Sequence, residues 1–171
     1  VYGRPHVDWS EMNADSIHEL SALKNGGRVV AYNDAHYGDV WAVLSDGRGV
    51  NMGDGWETRR RREPGNDWMI IALGAPGAVE AIEVDTAHFK GNYPDRCSVQ
   101  AARVVNATDA ALIEQSMNWD TLMEEQPLSA DSIHRFEGDA IAGLGAVNHV
   151  RLNIHPDGGV SRFRVFGKPS L

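Results

Sequence analysis

The sequence predicts an all-β chain folded as a two-sheet antiparallel sandwich, of which the jelly roll is one form. Three observations predict it: short runs of β-branched and aromatic residues recur along the chain, Gly-rich turns separate them, and helical signals are few. A closed barrel satisfies the same pattern. At 171 residues the chain fits one domain, and a domain of this size buries roughly 70% of the surface its unfolded chain exposes.

In chain order, Asp15 or Ser16 caps a first short helix over residues 17–23, with Asn25-Gly26-Gly27 as its stop. Strands are expected at 28–33, 68–73, 79–86 and 98–105. Thr108 or Asp109 then caps a second helix over 110–117. Residues 119–129 mix Leu122 and Met123 with acids and Pro127, and read as an irregular connection. Further strands are expected at 133–137, 147–155 and 160–166. Val150, Leu152 and Ile154 alternate with Arg151, Asn153 and His155, the period of a sheet with one face buried and the other turned to solvent or ligand. Pro156-Asp157-Gly158-Gly159 reads as the turn of a hairpin joining the last two strands.

Composition narrows the function. The formal net charge of −8 argues against nucleic acid and anionic lipid as partners, because binding a polyanion needs a basic field. No apolar run approaches the roughly 20 residues that span a bilayer. Cys97 is the single cysteine, so no intrachain disulfide forms and a reducing cytoplasm is the expected location. The glycosylation-type triplet Asn106-Ala107-Thr108 is then idle. Arg59, Arg60, Arg61 and Arg62 stand together between Glu57 and Glu63; such a run suits a small anion better than nucleic acid, with at least two of the four facing solvent.

The segments that carry chemistry are polar loops at strand ends. In Met52-Gly53-Asp54-Gly55-Trp56-Glu57-Thr58-Arg59-Arg60 the glycines bring Asp54 and Trp56 close to a ligand. Arg59 or Arg60 can fork onto a carboxylate, and Glu57 can accept a proton or an amide hydrogen bond. The competing reading is a charged hairpin with Trp56 capping the core. In Asp85-Thr86-Ala87-His88-Phe89-Lys90-Gly91-Asn92-Tyr93-Pro94, Asp85 is placed to fix one imidazole nitrogen of His88, and Asn92 offers both a donor and an acceptor. A purely structural turn explains the same residues. Arg151, Asn153, His155 and Asp157 form either a carboxylate clamp or an ordinary exposed strand face.

Several chemistries find no support. His18-Glu19 lacks the second histidine of a helical zinc site, and no paired-cysteine spacing, phosphate-binding Gly loop or nucleophile elbow appears. No cofactor is assigned; the seven histidines are scattered and give no basis for a metal, although a divalent ion stays open.

Taken together, Asp54-Gly55-Trp56-Glu57-Thr58-Arg59-Arg60, Asp67-Trp68, Asp85-Thr86-Ala87-His88-Phe89, Gly91-Asn92-Tyr93-Pro94, Arg151-Leu152-Asn153-Ile154 and Pro156-Asp157-Gly158-Gly159 resemble the allantoicase family. The resemblance runs from about Gly26 to Gly167, and the Met52-Gly53 lead-in looks like the second of the two repeats from which allantoicases are built. It implies a galactose-binding-like jelly roll and hydrolysis of allantoate to ureidoglycolate and urea, a step of purine and allantoin degradation. Glu57, Asp85 and His88 are then the catalytic candidates. Asp54, Trp56, Arg59, Arg60, Asn92, Tyr93 and Arg151 are the substrate-binding ones. The implied partners are a small ureide substrate, a preceding homologous repeat and further copies in a homo-oligomer.

The chain's ends fit that organisation. Val1-Tyr2-Gly3-Arg4-Pro5 repeats the pattern of Val165-Phe166-Gly167-Lys168-Pro169, so residues 1–5 are expected to be the tail of a preceding repeat. Residues 6–25 are then a linker with a short helix, and 26–171 the repeat itself. The rival function is a non-catalytic ligand-binding or oligomer-scaffolding module, in which Trp41, Trp56 and Tyr93 make a platform for a sugar; the charge density of the loops favours an anionic ureide.

Overall fold

The structure, a computed structural model, describes residues 2–3 and 6–171. Val1, Arg4 and Pro5, which carry most of the echo between the two ends, lie outside them. The elements in order are β1 (His18–Glu19), β2 (Arg28–Tyr32), β3 (Tyr37–Gly38), β4 (Trp56–Glu57), β5 (Asp67–Asp85), β6 (Arg96–Ala102), α1 (Asp109–Ser116), β7 (Asp120–Pro127), β8 (Ile133–Glu137), β9 (Ala146–His155), β10 (Gly159–Val160) and β11 (Arg162–Pro169). Every strand pairing among the described residues is antiparallel.

The two runs expected at 68–73 and 79–86 are one strand, β5, which serves both layers of the sandwich. Its first half lies between β2 and β9, and its second half between β11 and β8. The register breaks between Ala72 and Gly77, where Gly74 and Pro76 interrupt the apolar pattern. Beyond β9 the first layer continues through β6 to β7, and β11 is edged by β1. A separate three-stranded sheet, β10-β4-β3, closes one end.

The core follows from the period of two. Val150, Leu152 and Ile154 of β9 are fully buried against Met69, Ile71, Val84 and Phe163. Burying such a side chain completely contributes about 1.5–3 kcal/mol. The opposite row of β9 differs from expectation: Arg151 and Asn153 are each only 7% exposed, because α1 packs over that face through Leu112 and Ser116. Helix α1 begins where expected, with the hydroxyl of Thr108 accepting the N–H of Ala111 at 3.2 Å.

Three local expectations are corrected. Residues 17–23 form no α-helix; Leu20 is fully buried and donates its N–H to Val165 at 2.7 Å, so the segment extends along β11, and only a 3₁₀ turn at Leu23–Asn25 precedes the left-handed Gly26. Residues 119–129 are mostly β7, whose Leu122 and Met123 enter the core while the flanking acids stay in water. The turn at 156–159 makes no hairpin between β9 and β11. Those strands pair with different halves of β5, and the turn feeds β10 onto β4, about a hundred residues earlier.

Candidate functional site

The small sheet sets one side of the site. On β4 the alternation sends Trp56 inward, where it is fully buried and donates its indole N–H to the carbonyl of Asp34 at 2.8 Å. That places Trp56 beneath the site as a support. Glu57 faces the other way, half-buried, with Tyr37 and Gly159 as its cross-strand neighbours. The side-chain amide of Asn92 donates to the Glu57 carboxylate, and the Asn92 carbonyl accepts the N–H of Gly159 at 2.7 Å. Gly159 must lack a side chain, since a Cβ there would stand 2.1 Å from the ring of Phe89. Sequence reasoning singled out Glu57 and Asn92 separately; the fold joins them.

A second group holds the loop from Gly47 to Asp54. The guanidinium of Arg162, 3% exposed, donates to the Gly47 carbonyl at 3.0 Å, to the Asp54 carbonyl at 2.9 Å, and through Nη2 to both Asp54 carboxylate oxygens at 3.0 and 2.9 Å. That hydrogen bond keeps the Asp54 carboxyl below its ordinary pKa. Asp85 accepts from Arg48 Nε at 3.2 Å and from the N–H of Ala87 at 2.9 Å. The expected hydrogen bond from the His88 imidazole to Asp85 is absent among the described residues. His88 sits at φ +71° with its N–H on Asp131 at 2.7 Å, and its Nε2 lies 2.6 Å from the carbonyl of Gly49. A carbonyl only accepts, so Nε2 carries the proton. Asp54, Asp85 and His88 thus converge on one loop.

The arginine run lines the third part, a cleft of about 450 Å³ with Asn33, Asp34, Glu63 and Asp67. Arg59 donates its N–H and Nε to Asp34 at 2.7 and 3.1 Å. Arg61 is turned inward, onto the buried Asp67 at 2.9 Å, and its N–H meets Asp157 at 2.8 Å. Arg59, Arg60 and Arg62 are exposed, and among the described residues the Arg60 guanidinium has neither hydrogen bond nor ion pair.

Arg151 stands apart from these groups. It lies four residues before His155, roughly 13 Å back along β9 at strand spacing. Its Nε donates to Asn153 at 2.9 Å and its Nη1 to the Ser116 hydroxyl at 2.8 Å, with the cation 4.6 Å over the ring of Trp68. Burial lowers its pKa, and the partial negative charge at the end of α1 offsets some of that cost. The row of Arg151, Asn153, His155 and Asp157 therefore makes no common clamp: Arg151 fastens α1 through Ser116, Asn153 accepts from Arg151 and donates to Gln100, and Asp157 braces Arg61. Ser98, His155 and Glu125 stand close, but the serine at 3.3 Å and the carboxylate at 3.8 Å meet the same Nε2, so they form no nucleophile relay. The Cys97 thiol, fully buried, is pushed up to about 12.

The aromatic platform considered for a sugar does not form. Trp56 is buried, Tyr93 packs partly buried against the core, and Trp41 lines a different hollow with His6 and Trp9. No cluster of three or more His, Cys, Asp or Glu side chains suited to a metal occurs among the described residues. Sequence reasoning missed Tyr37, Arg48, Asp34 and Arg162. None lies in a dense polar motif; only pairing across the fold reveals them.

A fold of this kind defines a galactose-binding-like jelly roll. It superposes with TM-score 0.58 on the family 32 carbohydrate-binding module of NanJ from C. perfringens, at 9% identity over 88% of this chain and 99% of that one. The crystal structure of allantoicase from Saccharomyces cerevisiae matches with TM-score 0.75 and 38% identity, over 88% of this chain and 43% of that chain. A probable allantoicase 2 from Burkholderia pseudomallei is 60% identical over 98% of this chain and 50% of its own length. The pattern that defines the allantoicase repeat matches residues 18–170. The chain belongs to the allantoicase family, and it spans about half the length of the curated relatives it matches.

Proposed function

We propose that this repeat carries the reacting site of an allantoicase, which hydrolyses allantoate to ureidoglycolate and urea. The observation that carries the reading is the Glu57–Asn92 pair, facing outward three residues before Arg60 and the arginine cleft, at most about 10 Å of extended chain away. Allantoate has one carboxylate and two ureido groups on a single carbon. Arg60 and Arg59 receive the carboxylate, and Asn92, whose side-chain carbonyl is left free to accept, orients a ureido group. Glu57 takes a proton from water as the water oxygen bonds to the central carbon. The carbon–nitrogen bond to one ureido group breaks, and the proton passes to that nitrogen, which leaves as urea. Asp54, Asp85 and His88 hold the loop beside it, Trp56 and Tyr93 support it from the core, and Arg151 fixes the sheet.

In the same reading residues 1–5 end a preceding copy, 6–25 connect it, with His18–Glu19 added to the sheet edge, and 26–171 are the repeat. The protein works with that homologous repeat and in a homo-oligomer. Among the described residues no helix is long and apolar enough to cross a membrane, and the lone cysteine fits a cytoplasmic enzyme. Assaying urea release from allantoate by the full-length protein and by residues 1–171, with a binding titration beside it, tests the assignment. Turnover by the full-length protein supports it; binding without turnover in both supports a binding module instead.

A further inference from the structure

We infer that the ring of Tyr37 is the platform on which a planar ureido group rests beside Glu57; the inference rests on the allantoicase reading. Tyr37 pairs with Glu57 in the register of β3 and β4, so both side chains leave the small sheet on one face, their Cβ atoms about 4.5–5.5 Å apart. The neighbouring row, Gly38, Trp56 and Val160, points the other way, and Trp56 and Val160 are fully buried there. Tyr37 is 56% exposed, so core packing does not account for an aromatic residue at this position.

The ring is nevertheless seated. Its hydroxyl and Cε1 lie 3.7 and 3.8 Å from the point where a Cβ on Gly53 would stand, so its edge rests against the loop that Arg162 and His88 hold. Among the described residues the hydroxyl makes no hydrogen bond. The ring therefore presents a fixed apolar surface next to a carboxylate and an amide. A ureido group matches this arrangement: it is flat and conjugated, it stacks on an aromatic face, and its N–H and C=O edges need acceptor and donor groups such as Glu57 and Asn92 supply. The substrate-binding role expected of Trp56 thus falls to Tyr37.

The test is steady-state kinetics on allantoate with full-length protein carrying Tyr37→Ala, Tyr37→Leu or Tyr37→Phe, each checked by thermal unfolding. The ring role predicts that Tyr37→Ala and Tyr37→Leu raise KM about tenfold or more with kcat within about threefold, and that Tyr37→Phe stays within about twofold of the wild type. Unchanged KM in the alanine and leucine variants overturns it, and so does a phenylalanine variant as impaired as alanine, which assigns the hydroxyl instead. A wild type that releases no urea sinks the activity itself, whereas active wild type with a silent Tyr37→Ala sinks only this role.

Discussion

Nη2 of Arg162 bridges the two carboxylate oxygens of Asp54 at 3.0 and 2.9 Å, across 108 residues of chain, with the guanidinium only 3% exposed. The same group holds two carbonyls of the loop that flanks Glu57. Replacing Arg162 by Met leaves those four acceptor oxygens without their donor, so we expect a loss of about 3 kcal/mol, at the lower end for a broken buried pair because Asp54 can partly rehydrate. Urea-induced unfolding of the variant measures it.

The pair also sets a pH dependence. Asp54 titrates below its ordinary value of 3.8 in the folded protein, chiefly through its hydrogen bond from Arg162. A depressed carboxylate stabilises the fold fully above the unfolded pKa, and that contribution disappears as pH falls through the folded one. Stability should therefore fall as acid is added below about pH 4, and Asp54→Asn should show a shallower fall over that window. Unfolding midpoints measured from pH 5 downward test this; equal slopes contradict it.

In the proposed reading Arg151 belongs to the fold and not to the cleft. Replacing it by Met removes a cation over Trp68 and the hydrogen bonds to Ser116 and Asn153, and should cost about 1–2 kcal/mol while leaving KM for allantoate within about twofold. Unfolding and kinetics on the same preparation decide. A tenfold rise in KM without loss of stability returns Arg151 to the substrate.

In the proposed reading His88 acts through Gly49 as a positioning residue. Glutamine places its amide nitrogen near the position of Nε2 and can still donate to the Gly49 carbonyl, whereas alanine cannot. We expect His88→Ala to lower kcat/KM about tenfold and His88→Gln to recover most of it, with the pH profile unmoved. If both variants are equally impaired, the imidazole exchanges protons itself.

Local chemistry was legible in the sequence wherever it depended on neighbours in the chain. The cap at Thr108, the strand Ile133–Glu137 and the alternation of Val150, Leu152 and Ile154 all emerge as expected. The failures share a cause. Residues 17–23 carry helix-like punctuation, but the partner that decides their state is Val165; the turn at 156–159 has hairpin chemistry, but its partner is β4. The candidate site behaves alike. Its polar motifs could be found by composition, while the pairing of Glu57 with Asn92, the bonding of His88 to Gly49 and not to Asp85, and the inward row that buries Trp56 depend on contacts between distant segments.

The most direct test is urea release from allantoate by the full-length protein and its Glu57→Gln variant, which keeps the shape and a hydrogen-bonding partner for Asn92 but accepts no proton. The account predicts an active wild type and a kcat about 100-fold lower or more in the variant, with KM little changed. A wild type without activity, or a variant that turns over at the wild-type rate, contradicts it.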